Sequence, residues 1–561
     1  PLNSYNEAIL KDGGNLMEEK MRIIVSGMEP KAPYKHDVKK MNQIQRALEN
    51  YLDDEYGYRK VFFIAAPTGA GKTTLMEQTV FARASKNVKI LYVSSRLAIN
   101  VQLKRRILRA TYLDDEAGRY TDKGIMETET FGDITVVTFA GLYRKMISGK
   151  FARDSFDIVC FDEPQALYAD AIFCSYTGYV LEHLACFFAG CKKIFLTATP
   201  DTILPLLAKY LGDFHFHVYR IKSEYNYVNI QLFHEEDALI SEINADKSRN
   251  KWLIFDPSIQ HGQKIQQALS GEICMLNTVE REKKPERWLE ICRNEEFQEK
   301  VCITTAVVDA GVNFKDDKLR NIVIFGHDKT QIQQVLGRKR RKAGERVNLY
   351  LSCPLGGELY ALIQNINAQL DAIELFDKDR TAFVERHIIA PERQDLRRLI
   401  RVDRHGELEL NWIAKLNLEN QRELYTKLLE RTAKYGESAY EEYIARILNV
   451  TLGTAQDLWL DRRYNGDAAR EFVDFLEENI DLEMNERSMQ VFSKDFCDKC
   501  IAAYGKNGPK DRDDRQWKFR KINNKLKELE LQYHLEKTEN GCVLKAGVPQ
   551  LSGEVCEDDG E

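Results

Sequence analysis

The sequence predicts an α/β chain: two tandem halves, each built on a parallel sheet, then a helical region and a small C-terminal module. Three observations carry this reading. From Val61 to about Pro200, short apolar runs (V-F-F-I, K-I-L-Y-V, D-I-T-V-V, D-I-V-C-F, K-I-F-L) alternate with charged, helix-like stretches, the pattern of strand–crossover–strand units. A second alternating block runs from about Asn229 to Cys353, with strands expected at Trp252–Phe255, Val301–Thr305, Asn321–Phe325 and Val347–Leu351. After Pro354 the texture turns to long helical patterns, including Glu358–Phe376 and Asn420–Leu448.

A chain of 561 residues exceeds what one hydrophobic core supports. The expected division is an N-terminal extension (1–35), a first α/β domain (36–215), a second (216–356), a helical region (357–474), a C-terminal module (475–548) and an acidic, disordered tail (549–561). With 81 lysines and arginines against 87 acids, the net charge of −6 gives no global attraction to polyanions, so any basic surface has to be local. Twelve cysteines without disulfide-like spacing point to a reducing, cytoplasmic compartment. The apolar stretch Gly178–Gly190 is charged and too short to span a bilayer, so no membrane partner is expected.

The first half opens on V-F-F-I (Val61–Ile64) followed by A-P-T-G-A-G-K-T from Ala66 to Thr73, a phosphate-loop pattern in which Ala66 replaces the first glycine. Gly69 and Gly71 allow backbone amides to close around phosphate oxygens, with Thr68, Ala70 and Thr74 completing the loop. Lys72 is expected to reach the β- and γ-phosphates of a nucleotide, and the Thr73 hydroxyl to hold Mg²⁺. The next strand ends in C-F-D-E-P-Q (Cys160–Gln165). Asp162 at a strand's C-terminal edge suits a carboxylate that holds Mg²⁺, and Glu163 beside it can polarise an attacking water.

A-P-T-G-A-G-K-T, D-E-P-Q and L-T-A-T-P together resemble the motor of superfamily 2 helicases, the DExD/H-box-like class, over residues 36 to 355. The resemblance implies two RecA-like P-loop NTPase domains, ATP and Mg²⁺ as cofactors, and nucleic acid as partner, DNA preferred over RNA. It assigns Gln43, with Gln45 as alternative, to adenine reading. Ser95, Arg96, Thr138, Thr197, Thr199, Thr304 and Thr305 fall in segments similar to those that grip the nucleic-acid backbone or couple hydrolysis to movement. Gly311 and Asn313 lie in the segment similar to one touching both strand and nucleotide. Gln334-V-L-G-R-K-R-R resembles the Q-x-x-G-R-x-x-R motif, in which Gln334, Arg338 and Arg341 face the nucleotide from the second domain, while Lys339 and Arg340 fall outside the pattern and are expected to be solvated. Two departures stand out: Gln165 ends the D-E-P-Q box where Asp or His is usual, and Val335 stands where many members carry an arginine.

The last segment reads as a helix capped by Ser493, a basic helix from Asp511 to Leu529, and a hairpin from Leu531 with Asn540-Gly541 at its turn. Helix, basic helix and hairpin resemble a winged helix like those ending phage and plasmid primase-helicase proteins. Lys510, Arg512, Arg515, Lys518, Arg520, Lys521 and Lys525 would then meet DNA, although winged helices also bind proteins. Cys497 and Cys500 form one C-x-x-C pair; a structural zinc needs four ligands, so buried thiols are the reading. The resulting expectation is an ATP-dependent helicase or translocase in replication, repair, mobile-element or phage biology, working with replication or defence proteins. The alternative is a nucleic-acid-stimulated ATPase that remodels or senses without unwinding.

Overall fold

Alternate residues of β2 (Lys60–Ala65) serve two different cores. Val61, Phe63 and Ala65 face one side of their sheet, and Phe62 and Ile64 face the other. A strand buried on both faces belongs in the middle of a parallel sheet covered by helices. The structure, a computed structural model, describes residues 33–95, 103–108, 122–305, 312–342, 344–389, 399–402, 407–453, 458–504, 519–529, 531–538 and 541–547. It divides into two compact units, residues 1–230 with 247–452, and residues 231–246 with 453–561.

The first unit holds both α/β lobes. Lobe 1 is an eight-stranded sheet in the order β1 (Tyr34–Asp37), β8 (His215–Arg220), β2, β7 (Lys192–Thr197), β6 (Ile158–Asp162), β3 (Ile90–Ser94), β5 (Ile134–Thr138) and β4 (Thr130–Phe131). Every pairing is parallel except β4 with β5. One face packs α1 (Met41–Asp53) through Ile44, Leu48 and Leu52. The other packs α2 (Phe139–Ile147), α3 (Tyr176–Phe187) and α4 (Ile203–Tyr210). Lobe 2 has the order β11 (Ile273–Leu276), β12 (Val301–Thr304), β10 (Lys251–Phe255), β13 (Leu319–Ile324), β14 (Val347–Ser352) and β9 (Val228–Phe233), and its helices include α5 (Ile259–Ala268), α6 (Pro285–Asn294) and α7 (Lys329–Arg338). The pairings among β10 to β14 are parallel. Two parallel sheets in tandem are the RecA-like pair expected from the motifs. The expected boundary at residue 216 falls inside β8, which completes the first sheet.

The helical region lies in the same unit. α8 (Gly356–Lys378) packs on α9 (Trp412–Tyr435), the short antiparallel pair β15 (Ile400–Val402) and β16 (Leu408–Leu410) precedes α9, and α10 (Ser438–Leu448) follows. The sequence reading ran one helix from Asn420 to Leu448. The chain instead breaks at Gly436, whose φ of 58° and ψ of −140° are open to glycine and costly for other residues. This region fastens to both lobes. Asn411 Nδ2 shares its two N–H donors among Ala171 O, Cys174 O and Thr177 Oγ1, all at 2.9–3.0 Å. Asn417 and Asn420 donate to Tyr168 O and Oη at 2.7 and 2.8 Å. On lobe 2, Tyr443 Oη donates to His327 O, and Ile447 O accepts from Gln333 Nε2 at 3.0 Å.

The second unit has its own core. Phe472 and Leu476 of α11 (Leu460–Glu478), Phe496, Cys497 and Cys500 of α12 (Glu486–Tyr504), and Ile522 and Leu526 of α13 (Phe519–Glu528) meet Leu535 and Leu544 of the hairpin β18 (Tyr533–Thr538) and β19 (Gly541–Ala546). β17 (Glu483–Met484) completes an antiparallel sheet in the order β17-β19-β18. Residues 231–246 join this unit: His234 and Glu235 donate backbone N–H to Asp461 at 2.7 and 2.9 Å, and His234 stacks on Trp459. The expected boundary at 474 falls inside α11. Ser493 does not cap a helix, because α12 already begins at Glu486, where Asn485 Oδ1 accepts from Ser488 N at 3.0 Å; Ser493 is buried in its interior. Cys497 and Cys500 are buried thiols, and no cluster of three or more metal-binding side chains occurs among the described residues. Among the described residues, no helix is long and apolar enough to cross a membrane.

Candidate functional site

The loop after β2 turns at Gly69 and Gly71, with φ of 86° and 96°, and the chain becomes helical at Lys72. Both glycines occupy the left-handed region that other residues avoid. The helix start leaves backbone N–H groups without helical partners, an anion site by construction. Lys72 Nζ donates to Ala66 O at 2.7 Å and lies 3.9 Å from Glu163 Oε1. Burial disfavours its charge, while Glu163 and Asp162 favour it.

Asp162 closes β6 and is buried; its carboxyl is held above the usual range by burial first and then by Glu163 beside it. Glu163 has φ of 51°, an unusual value for a residue with a side chain and a strain of the kind stored at functional sites. Its Oε2 accepts from Gln165 Nε2 at 2.6 Å. From there a chain of hydrogen bonds crosses to lobe 2: Thr197 Oγ1 donates to Gln165 Oε1 at 2.8 Å, Thr199 N donates to Thr197 Oγ1 at 2.9 Å, and Gln334 Nε2 approaches Thr199 Oγ1 at 3.5 Å. The unusual fourth letter of the D-E-P-Q box is thus the residue that connects Glu163 to Thr197.

The two lobes meet at the loop. A Cβ built on Gly337 would stand 2.5 Å from Thr68 Oγ1 and 2.6 Å from Thr68 Cβ. Lys329 of α7 pairs with Asp201 of lobe 1 at 2.7 Å. Between the lobes lies a cavity of about 940 Å³, lined from lobe 1 by Thr68, Gly69, Gly71, Lys72, Thr73, Thr74, Asp162 and Glu163 and from lobe 2 by Asn313, Gly337, Arg338, Arg340 and Arg341. Its wall carries nine lysines and arginines against four acids, so it suits a polyanion. A hydroxyl from Thr73 and one buried carboxylate from Asp162 form the sparse donor set with which proteins hold Mg²⁺ alongside phosphate oxygens and water. The residues present therefore fit a nucleotide triphosphate with Mg²⁺.

The other expected residues are distributed as follows. Gln43 Oε1 accepts from Lys39 N and Lys40 N at 3.0 and 3.2 Å, capping α1, and Gln45 pairs with Glu49; neither lines the cavity. Ala70 N donates to Pro67 O within the loop. Ser95 is half-buried after β3. Thr138 Oγ1 caps α2 by accepting from Gly141 N. Thr197, Thr199 and Thr304 are buried, and Thr304 Oγ1 donates to Leu276 O at 3.0 Å; Thr305 is half-buried. Arg520 and Lys521 are exposed on α13, and Lys525 is half-buried. Arg96, Gly311, Lys510, Arg512, Arg515 and Lys518 lie outside the described residues.

Lys339 and Arg340 correct the sequence reading, which left them solvated. α7 ends at Arg338, and Lys339 has the extended dihedrals φ −73° and ψ 114°. Side chains alternate across an extended chain, so neighbours two apart share a side. Lys339 is buried, 2.8 Å from Glu345 and donating to Asp316 O, while Arg340 enters the cavity wall. Arg341 is exposed; its guanidinium lies 3.3 Å over the Tyr227 ring and donates to Glu345 O at 3.0 Å.

Sequence reasoning also missed Tyr92, hydrogen-bonded to Asp162 from β3, and the cavity-lining Arg293, Glu295 and Lys315. Tyr92 was findable: it lies two residues before Ser94, the strand-end partner of Asp162. The lobe 2 charges had no sequence signal, since they belong to α6 and the loop after Asn313.

Residues 33–202 match the family described as Type III restriction enzyme, res subunit. A search of curated proteins gave no match. Among solved structures, the chain is similar to Saccharomyces cerevisiae Dbp5 bound to RNA and ADP BeF3 (16% identity, TM-score 0.41, 56% of this chain and 83% of that one). It is also similar to Mss116p bound to ssRNA and AMP-PNP (14%, 0.42, 84% and 98%). A third is Mycobacterium smegmatis helicase Lhr bound to ssDNA and AMP-PNP (12%, 0.39, 94% and 60%). The family match covers the segments that hold Ala66–Thr73 and the D-E-P-Q box. The first lobe is a superfamily 2 helicase-type domain, and the protein is an ATP hydrolase.

Proposed function

We propose that this ATP hydrolase is a nucleic-acid helicase or translocase, acting on DNA in replication, repair, mobile-element or phage biology. The observation that carries the reading is one cavity lined by Lys72 from one lobe and by Arg338 and Arg340 from the other. Such a site is complete only when the lobes are together, which ties hydrolysis to their movement.

In this mechanism the loop amides and Lys72 bind the β- and γ-phosphates. Thr73 and Asp162 would hold Mg²⁺, which neutralises charge on the phosphate oxygens. Glu163 accepts the proton of the attacking water; the new oxygen–phosphorus bond forms as the bond to the bridging oxygen breaks, releasing ADP and phosphate. Gln165 orients Glu163, and Arg338 stabilises charge on the transferred group. The chain Gln165–Thr197–Thr199–Gln334 reports the state of the site to lobe 2.

The order α11, β17, α12, α13, β18, β19, with the sheet order β17-β19-β18, supports a winged-helix reading of the second unit. α13, with Arg520 and Lys521 exposed, would meet DNA phosphates there. The test is ATPase rate with single-stranded DNA, RNA and duplex, followed by strand displacement on forked duplexes. DNA-stimulated hydrolysis with displacement is expected. Stimulation without displacement would make the protein a remodeller or sensor, and a rate indifferent to every nucleic acid would sink the motor reading.

A further inference from the structure

We propose that Arg340, rather than Arg341, is the second guanidinium that lobe 2 sets against the terminal phosphate held by the loop Ala66–Thr73. This rests on the nucleotide reading above. It departs from the sequence motif, which places its arginines three residues apart, at 338 and 341. A three-residue spacing brings side chains together on a helix, but the helix has ended. Phe314 N donates to Arg338 O and Arg340 N donates to Phe314 O, both at 2.8 Å, so the segment runs as an extended chain pinned to its neighbour. In that geometry 338 and 340 share a side and 339 and 341 share the other.

Three observations place Arg340 on the phosphate loop. Its Nη1 stands 3.2 Å from where a Cβ on Gly69 would be, and Gly69 is a left-handed turn of the loop. That same Nη1 is buried with no hydrogen-bond partner among the described residues. Its electrostatic surroundings include Arg338, Glu295 and Glu163, and it acts in turn on Lys72. Burial and then Arg338 press against its charge, yet an arginine withstands such pressure without losing its proton. A cation held among cations, with an unmet donor beside an anion cradle, lacks an anion. Phosphoryl oxygens supply one, and a planar guanidinium matches them with paired N–H groups. Arg341 is already committed, stacked on Tyr227 and bonded to Glu345 O.

The experiment uses the full chain and three variants, Arg340→Ala, Arg340→Lys and Arg341→Ala. It measures kcat and KM for ATP, and the affinity for fluorescent mant-ADP with and without aluminium fluoride, which mimics the transferred phosphoryl group. Arg340→Ala is expected to lower kcat roughly 10²- to 10³-fold and to abolish the tightening of mant-ADP by aluminium fluoride. Arg340→Lys should recover part of both, and Arg341→Ala should cost at least tenfold less than Arg340→Ala. If Arg340→Ala melts early by circular dichroism, Arg340→Gln, of similar polarity, decides with the same readouts. Wild-type-like kinetics and binding in the Arg340 variants, or an equal loss in Arg341→Ala, would overturn the assignment while leaving the nucleotide reading intact. A wild-type chain that neither hydrolyses ATP nor binds mant-ADP would take down both.

Discussion

Gly337 is needed for room rather than for backbone freedom: any Cβ there runs into Thr68 at 2.5–2.6 Å. Gly337→Ala should therefore hold the lobes apart, lowering kcat at least tenfold while leaving the melting temperature within a few degrees; a coupled ATPase assay and calorimetry read both, and full activity would refute the contact's role. His327 gives a pH signature. Burial holds its imidazole down at about 4, against about 6.5 in an unfolded chain. Between those values the unfolded state binds a proton the native state refuses, so this residue removes stability as pH falls from about 6.5 to about 4. Urea midpoints at pH 7 and pH 5 should draw closer together in His327→Gln; an unaltered gap would count against it. At this scale the sequence revealed the loop, Asp162 and Glu163, because their chemistry demands fixed residue types at fixed spacing. It did not reveal Arg340, because which of the neighbouring basic residues reaches the phosphate loop depends on where α7 stops. Nor did it reveal that Gln165 joins Glu163 to Thr197, a contact across 32 positions.

Among the elements, α9 is held to lobe 1 by its apolar residues Ile413, Ala414, Leu416 and Leu418, by Asn417 and Asn420, and by Asn411 just before its start. The Asn411 amide serves Ala171 O, Cys174 O and Thr177 Oγ1 while 1% exposed, so Asn411→Leu would strand buried carbonyls. The expected cost is about 1–3 kcal/mol per orphaned group, seen as a melting temperature several degrees lower; a melt within one degree of wild type would show that water replaces the amide. The parallel strands were legible because burial on both faces writes continuous apolar runs such as V-F-F-I. The edge strand β1 and its neighbour β8 were not, since Tyr34-Lys-His-Asp and His215-Phe-His are partly polar and take their structure from neighbours already in place. The break at Gly436 was legible but passed over: a glycine just after Lys434 and Tyr435 is a helix-stop signal, and the helix-favouring residues beyond it made the pattern look continuous.

At the scale of the whole chain, the second unit is not a simple C-terminal appendage. Its residues 231–246 lie in sequence within the stretch that builds lobe 2, from the end of β9 onward, and Ala238, Leu239 and Ile243 are buried. Truncation after Leu452 is expected to expose the helix Glu236–Ala245 and raise ANS fluorescence and light scattering. Replacing 231–246 with a glycine-serine linker in the same truncation should restore a clear solution; a truncation that stays non-binding and soluble without the linker would show that the insert needs no cover. Cutting the sequence by texture gave boundaries at 216 and 474, which fall inside β8 and α11. Within the first unit, α9 bonds to lobe 1 through Tyr168 and also sets Tyr425 edge-on against His327 of lobe 2, α10 bonds to lobe 2 through His327 and Gln333, and Gly436 joins the two helices. They form a wishbone with its fork at a single peptide joint. In the proposed motor, movement between the lobes would load that joint in torsion, and one glycine remote from the phosphate loop would help set how wide the jaws swing.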